Sequence, residues 1–400
     1  MAGRSPSEIC PFVPGPGATP PILAGRAKAQ ERIGDLCARL CADVGAHRPV
    51  IVIGPRGNGK TVILNWLQEH CQSLSIESLR LTPNQIPTVE ALAERLGDKP
   101  LPGVKKAGLT AGVPELLTAS GNLEFHPGRT HAPPDLIRIL ARRMGGQPLA
   151  LLIDEAHTLE PGVARHLLNA AQDASKEEPF LLVLAGTPDL GDKLRGVDAT
   201  FWSRSMKIGV GLLHDEDVLL AISEPLRWFK TTLREQRLWA QVISDSQGYP
   251  FFVQQWGEEL WLQARNRANE SGMQLGTSAI ELSDGDVENA AKNVAEVKRE
   301  YYGDRYTELL ADDLLDPARA IANAFSDGLT PSPQEVLQAI VAESVGAERA
   351  YGALTSLAHS GFVWKPPGED AWGPGIPSLM DYVISLSPAL KAQAEEPPGP

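Results

Sequence analysis

The sequence is poor in cysteine and in long apolar runs. Only four of its 400 residues are cysteine, and none stands in a C-x-x-C pair. This excludes a disulfide-stabilised scaffold and predicts a reducing, cytoplasmic location. No apolar run reaches the roughly 18 residues that cross a bilayer, and the first residues show no apolar signal-peptide core. We therefore expect no membrane partner.

An excess of positive charge is also absent. The 37 basic and 50 acidic residues give a formal net charge of −13, which argues against a globally basic nucleic-acid binder. Residues 317–400 contain four basic and nine acidic residues, so a DNA-docking face is poorly supplied there. The charge favours a protein partner or self-assembly, and it leaves DNA as the disfavoured alternative.

The hydrophobic content of 42% and the charged content of 22% are typical of soluble globular domains. Short apolar runs alternate with helical periodicity over residues 21–212, which predicts an α/β fold with a parallel sheet flanked by helices. An irregular stretch at about 97–134 interrupts this pattern and predicts an insertion. Pro- and Gly-rich composition predicts a flexible arm at residues 1–20 and a flexible tail at 389–400.

The later part of the chain is mainly helical by its periodicity. Residues 213–300 contain only helical segments in this interpretation. Residues 301–388 combine a further helix, short helices and a small hairpin, an order typical of a winged-helix module.

The segment GPRGNGKT at residues 54–61 matches the pattern GxxxxGK[ST] without departure. It follows a short β-branched apolar run and precedes a helical segment, the context that a phosphate-binding loop requires. Its glycines let consecutive backbone N–H groups point at phosphates, and the helix N-terminus adds partial positive charge. Lys60 is expected to reach the β- and γ-phosphates, and the Thr61 hydroxyl to ligate Mg²⁺. The residues predicted to bind ATP here are Gly54, Pro55, Arg56, Gly57, Asn58, Gly59, Lys60, Thr61 and Val62.

Two carboxylates follow the apolar run at residues 149–153. Asp154 is expected to hold Mg²⁺, directly or through a water, and Glu155 to polarise the water that attacks the γ-phosphate. We interpret His157 as a local hydrogen-bonding residue. The pattern predicts an enzyme that hydrolyses ATP to ADP and phosphate, with the two motifs meeting at the carboxyl ends of neighbouring strands.

In this order the motifs resemble those of AAA+ P-loop ATPases. Within that group they resemble the branch near the archaeal and eukaryotic origin-recognition initiators and the STAND ATPases. The resemblance covers about residues 20–385. It implies a P-loop core at 21–212, a helical lid at 213–300, and a linker helix with a winged-helix-like domain at 301–388.

The resemblance also assigns roles to three further residues. Arg26 ends a box that packs near the adenine in these proteins. Thr187 follows the apolar run at 180–186, where the family carries the sensor-1 polar residue. Arg204 ends a box whose arginine finger reaches the γ-phosphate bound by a neighbouring subunit, which implies self-assembly.

The sequence departs from the family at the lid. Many AAA+ lids carry a sensor-2 arginine directly after a Gly-x-Pro turn, but Phe251 and Phe252 follow Pro250 here. Either Arg227 or Arg265 substitutes for it, or the chain has no such residue.

Two classes of function remain open at this point. The chain is either an ATPase that drives assembly or remodelling with a protein or DNA partner, or a slow STAND-like switch in which hydrolysis acts as a timer. Glu155 and Arg204 favour the first class, whereas the missing sensor-2 arginine favours the second.

Overall fold

The computed structural model describes residues 9–15, 17–42, 47–97, 135–326, 331–342 and 347–386. The predicted insertion at 97–134 lies outside the described residues except for Gly97, and the predicted tail at 389–400 lies wholly outside them.

A five-stranded parallel sheet forms the centre of the first half of the chain. Its strands follow the order β2-β3-β4-β1-β5. Every residue of β1, β3 and β4 is buried, which explains their unbroken apolar sequences. The predicted parallel sheet is confirmed. The strands are β1 (Val50–Ile53), β2 (Glu77–Leu81), β3 (Leu149–Ile153), β4 (Phe180–Gly186) and β5 (Met206–Gly209).

Helices cover both faces of this sheet, because successive strand side chains point to opposite sides. Val50 and Val52 pack with α1 (Ala27–Cys41) and α2 (Lys60–Ser73) on one face. Ile51 and Ile53 belong to the core on the other face, with the remaining helices of this region. Those helices are α3 (Val89–Gly97), α4 (Leu136–Met144), α5 (Pro161–Glu177), α6 (Leu190–Val197) and α7 (Ala199–Arg204).

The region that the sequence assigned to a helical lid has its own core around Trp256 and Trp261, both fully buried. We call residues 213–283 the lid. Two three-residue strands pair in parallel within it, which the helical interpretation of the sequence missed. Its elements are α8 (Asp215–Trp228), β6 (Thr231–Leu233), α9 (Gln236–Ser246), α10 (Pro250–Glu270) and β7 (Ile280–Leu282).

A long helix, α11 (Asp284–Ala311), leads from the lid to a small C-terminal module at residues 315–386. The module consists of three helices, an antiparallel pair of two-residue strands and a last helix. These elements are α12 (Leu315–Ser326), α13 (Pro333–Ala342), α14 (Ala347–Ser360), β8 (Val363–Trp364), β9 (Gly373–Pro374) and α15 (Pro377–Ser385).

The C-terminal module packs against the end of the central sheet. A Cβ on Gly361 would stand 3.1 Å from the Cβ of Pro55, and one on Gly211 would stand 3.1 Å from the Trp364 ring. The His359 imidazole also lies 3.1 Å from an Asp192 carboxylate oxygen. The module therefore touches both the phosphate loop and the exit of β5.

Residues 9–15 and 17–20, which the sequence assigned to a flexible arm, pack against the rest of the chain. Phe12 is only 2% exposed and belongs to the lid core. It lies over α10, where a Cβ on Gly257 would come within 2.2 Å of its ring. A glycine in the helix thus makes room for the aromatic side chain that anchors this segment.

Among the described residues, no helix combines the length and the apolar character needed to cross a membrane.

Candidate functional site

The phosphate loop joins β1 to α2 through two glycines with positive φ. Gly57 has φ +79° and Gly59 has φ +92°, a backbone region that side chains other than glycine rarely adopt. Lys60 is buried at the start of α2, and its Nζ donates to the Pro55 carbonyl at 2.9 Å. Burial lowers the pKa of Lys60 to about 8, while the Glu155 and Asp154 carboxylates oppose that shift. The loop therefore closes into a cradle around an ammonium group.

Thr61, the residue after Lys60, connects the phosphate loop to the acidic pair. Thr61 Oγ1 donates to Asp154 Oδ2 at 3.0 Å. A hydroxyl and a carboxylate are hard oxygen ligands of the kind that Mg²⁺ takes, usually with waters and substrate phosphates completing the shell. Consistent with so few protein ligands, the described parts of the chain contain no cluster of three or more metal-ligating side chains. The residues present fit Mg²⁺.

The two motifs do not lie on neighbouring strands, contrary to the expectation from the sequence. β4 lies between β1 and β3, and pairs with both. The Thr61–Asp154 contact still forms, because the first turn of α2 reaches across the tip of β4.

A basic residue that sequence reasoning missed contacts the metal-ligand candidate. Arg80 of β2 forms an ion pair with Asp154 and also hydrogen-bonds to the side chains of Asn65 and Gln68. The β2–β3 register places Arg80 beside Leu152, two residues before Asp154. The available signal was a single arginine in the short strand sequence ESLRL.

Glu155 stands in a left-handed turn with φ +52°, and lines the cavity described below. Its side chain is half-exposed, as a group that activates water requires. His157 is buried, with Nδ1 3.4 Å from Glu155 Oε2, and burial lowers its pKa, so the ring is neutral near pH 7. Only Glu155 of these two lines the cavity.

Thr187 follows β4, at the strand tip between the two motifs. It is buried, and its hydroxyl donates to the Asp189 carboxylate, which also pairs with Lys193 at 3.0 Å. Thr187 does not line the cavity, and its role as sensor 1 stays a prediction.

A cavity of about 420 Å³ opens beside the phosphate loop. This volume lies within the range of small-molecule pockets. Its polar end contains phosphate-loop residues 56–62, whereas residues 13–24 and the lid supply its apolar walls. Gly54 and Pro55 of the predicted set do not line it. The cavity thus offers a charged end for phosphates and an apolar end for a base.

Comparison with known proteins agrees with this geometry. Residues 44–194 match the family model described as an AAA domain. Residues 44–194 are thus similar to an AAA domain. The predicted resemblance to AAA+ P-loop ATPases is thereby confirmed.

Solved structures share this fold over most of the chain. The Aeropyrum pernix ORC2 protein, in its ADPNP–ADP complexes, has a TM-score of 0.53 at 14% identity, covering 93% of this chain and 97% of that chain. The Walker-type ATPase of Pyrococcus abyssi has a TM-score of 0.57 at 14% identity, covering 93% of this chain and 98% of that chain. No curated protein matches the sequence.

Arg26 is hydrogen-bonded to the backbone of the phosphate loop. It stands just before α1, where its Nη2 donates to the carbonyls of Asn58 at 3.1 Å and Gly211 at 2.6 Å. Burial lowers the pKa of Arg26 to about 10. It lines the cavity, but these bonds hold it on the loop backbone.

Arg204 lies far from the nucleotide cavity of its own AAA domain. It is exposed at the end of α7, directly before β5. In the sheet Met206 pairs with Val50, at the amino end of β1, whereas the phosphate loop leaves the carboxyl end. Arg204 is therefore on the surface, away from the sheet end that carries the phosphate loop.

Neither predicted substitute for the lid arginine reaches the cavity of the AAA domain. Arg227 pairs with Glu224, and the Arg265 guanidinium lies 5.0 Å from the Trp261 ring centroid. The arginines that do line the cavity, besides Arg26, are Arg56 of the loop and Arg305 of α11. Sequence reasoning missed Arg305 because it lies outside the lid.

Proposed function

We propose that this protein is a Mg²⁺-dependent AAA+ ATPase that hydrolyses ATP to ADP and phosphate and uses its nucleotide state to drive conformational change or assembly with a protein partner. The observation that carries the proposal is the convergence of Lys60, Thr61 and Glu155 at the polar end of one cavity, with Asp154 hydrogen-bonded to the Thr61 hydroxyl. An acid that can activate water separates this arrangement from a site that only binds nucleotide.

The chemistry follows from the positions of these groups. Loop amides and the Lys60 ammonium bind the phosphate oxygens, with Lys60 exchanging the Pro55 carbonyl for phosphate. Thr61 and Asp154 would hold Mg²⁺, which would neutralise phosphate charge. Glu155 orients a water and takes its proton as the water attacks the γ-phosphate. Thr187 would act as sensor 1 after releasing Asp189, and Arg204 would serve the site of a neighbouring subunit.

The C-terminal module is proposed to be winged-helix-like and to bind protein. Its described basic residues are all in ion pairs: Arg319 with Asp316, Arg349 with Asp313, and Lys365 with Asp370. DNA binding needs basic groups that are available to phosphates. This pairing therefore favours a protein partner over DNA. A cytoplasmic location stays a prediction from the cysteine usage.

A second candidate is the slow STAND-like switch. It is favoured by the seating of the C-terminal module on the phosphate loop, where Gly361 meets Pro55. In that case ATP binding would release the module to a partner, and hydrolysis would reset it.

Calorimetry and phosphate release test these proposals. We expect Lys60→Ala to abolish ATP binding, and Lys176→Ala, which removes an exposed lysine on α5, to leave it unchanged. Glu155→Gln should bind ATP but release no phosphate. Unchanged affinity in Lys60→Ala would refute the phosphate site, and normal hydrolysis in Glu155→Gln would refute the role of Glu155. A turnover rate independent of protein concentration would favour the switch over the oligomeric enzyme.

A further inference from the structure

Two cavities of the molecule share a wall made of Arg56 and Arg305. The first is the nucleotide cavity of about 420 Å³. The second, of about 60 Å³, lies between α11 and the C-terminal module, where Gly361 and Phe362 form its far side. A guanidinium in this wall therefore borders the nucleotide cavity on one side and the cavity beside the C-terminal module on the other.

Arg305 is held in this wall by its own helix. It donates to Glu308 Oε2 at 2.8 Å, and its Cζ lies 5.8 Å from the Tyr301 ring centroid. Glu308 lines the second cavity but not the first. The guanidinium has five N–H donors, so the bond to Glu308 leaves others for a second anion.

A chain of hydrogen bonds links the same helix to the phosphate loop. The Tyr301 and Tyr249 hydroxyls lie 2.9 Å apart, and Tyr249 Oη donates to the Arg56 carbonyl at 3.0 Å. Tyr249 is fully buried. The phosphate loop is therefore linked to α11 through one buried lid residue, Tyr249.

The charge of the nucleotide cavity opposes that of the chain. Its charged lining residues are four cations and one carboxylate, in a protein of net charge −13. Arg26 is engaged by backbone carbonyls, whereas Arg56 has no carboxylate partner within the described residues. A polyphosphate is the ligand that this charge fits best. The lining residues that carry charge are Arg26, Arg56, Lys60, Arg305 and Glu155.

We propose that Arg305 is a ligand of the nucleotide phosphates and that its contact reports their presence to the C-terminal module. The inference rests on the proposed function and deepens it. When a nucleotide enters, the guanidinium turns from Glu308 towards the phosphates. Glu308, which lines the cavity beside the C-terminal module, then loses its ion pair with Arg305. The packing of the module against this wall therefore depends on whether phosphates are bound.

Binding of nucleotides to the full chain tests the contact. We expect Arg305→Met to weaken binding of a non-hydrolysable ATP analogue by about 10- to 100-fold, the loss typical of one charged hydrogen bond. Adenosine, which lacks phosphates, should bind as tightly as to the wild type. Arg319→Met is the matched control, because Arg319 is equally exposed at 20% and pairs with an acid three residues earlier, but lies outside the cavity.

For a second variant, Glu308→Gln, we expect the affinity for the ATP analogue to rise instead of fall. Glu308→Gln removes the carboxylate that competes for Arg305, so the ATP analogue should bind several-fold more tightly. The gain should vanish in the double variant with Arg305→Met. This arm stays informative if Arg305→Met alone fails to fold.

Amide hydrogen exchange tests whether nucleotide binding at Arg305 changes the packing of the C-terminal module. With saturating ATP analogue, we expect faster exchange at residues 361–364 in the wild type and no change in Arg305→Met. An Arg305→Met affinity equal to that of the Arg319→Met control, an equal loss for adenosine, or an unchanged Glu308→Gln affinity would overturn the proposal. Binding that is lost in Lys60→Ala but not in Arg305→Met would refute this inference alone. Binding insensitive to Lys60→Ala would refute the proposed function itself.

Discussion

At the scale of single residues, Gly57 shows why the phosphate loop tolerates so little change. Its φ of +79° disfavours any side chain, and a Cβ would stand 1.9 Å from Tyr249 Oη. Tyr249 is fully buried and hydrogen-bonded to the loop, so its ring has no room to move. The loop and the lid thus fit together only with glycine at this position.

We expect Gly57→Ala to lower the free energy of unfolding by about 1–3 kcal/mol, the usual cost of overpacking, and to reduce ATP affinity as well. Denaturant unfolding and calorimetry measure the two effects. Gly285→Ala is the control, because that helical glycine has open space and an ordinary φ. Equal stability of the two variants would show that the loop adapts.

Arg80 gives a prediction about the metal. In the structure its guanidinium forms an ion pair with Asp154, the carboxylate that would ligate Mg²⁺. We expect Arg80→Met to lower the Mg²⁺ concentration for half-maximal ATP binding several-fold, because the ion no longer competes with a fixed cation. Arg138→Met, an exposed change on α4, should leave that concentration unchanged. A higher requirement in Arg80→Met would mean that Arg80 orients Asp154 instead.

The contrast between these residues shows what a single sequence can predict about a site. Lys60 and Thr61 stand in a local pattern whose chemistry depends on spacing, so they were predictable. Arg80 and Arg305 reach the site from β2 and α11, through packing that no local pattern encodes. Arg227 and Arg265 were candidates to substitute for the family arginine from elsewhere in the lid, yet neither side chain lines the cavity.

At the scale of elements, composition gave a wrong prediction where the packing of one side chain determines the local structure. Pro and Gly content predicted flexibility for residues 1–20, but Phe12 fits the space above Gly257 and ties the segment to the lid. Likewise β6 and β7 are three residues each, too short to show alternation, and their pairing is fixed by the surrounding helices. β1, β3 and β4 were predictable because they are fully buried and continuously apolar. β5, with the sequence MKIG and partly exposed residues, was not predicted.

The packing of Phe12 in the lid core leads to a prediction about ATP binding. Val13, Pro14, Gly15, Gly17 and Ala18 line the nucleotide cavity. The Phe12 ring, buried in the lid core, holds the adjoining backbone in place. We expect Phe12→Ala to weaken ATP binding at least tenfold, since the lost burial of an aromatic ring exceeds 1.4 kcal/mol. Ile9→Ala, at a residue 58% exposed, should bind normally. If both variants bind as the wild type does, the segment makes no contribution to the site.

At the scale of the whole molecule, the positions of the motifs on the sheet decide which groups act within one chain. Lys60 and Glu155 line the same cavity, whereas Arg204 lies at the amino end of β5. The strand order could not be predicted from the sequence, because no local pattern specifies the neighbours of a strand and only packing places β4 between β1 and β3. That order nevertheless fixes Arg204 on the outside.

Mixing two inactive variants tests whether Arg204 acts between copies. Lys60→Ala keeps the arginine but loses the phosphate site, whereas Arg204→Ala keeps the site and should lose about 10³-fold or more in rate. In a random one-to-one mixture, half of the pockets are intact and half of their neighbours carry the arginine, so roughly a quarter of the wild-type rate should return in a cyclic assembly. A mixture of Lys60→Ala with Glu155→Gln is the control, and it should stay inactive because no pocket is complete. If the first mixture also stays inactive while Arg204→Ala alone is impaired, Arg204 supports its own chain, and the surface position has another cause.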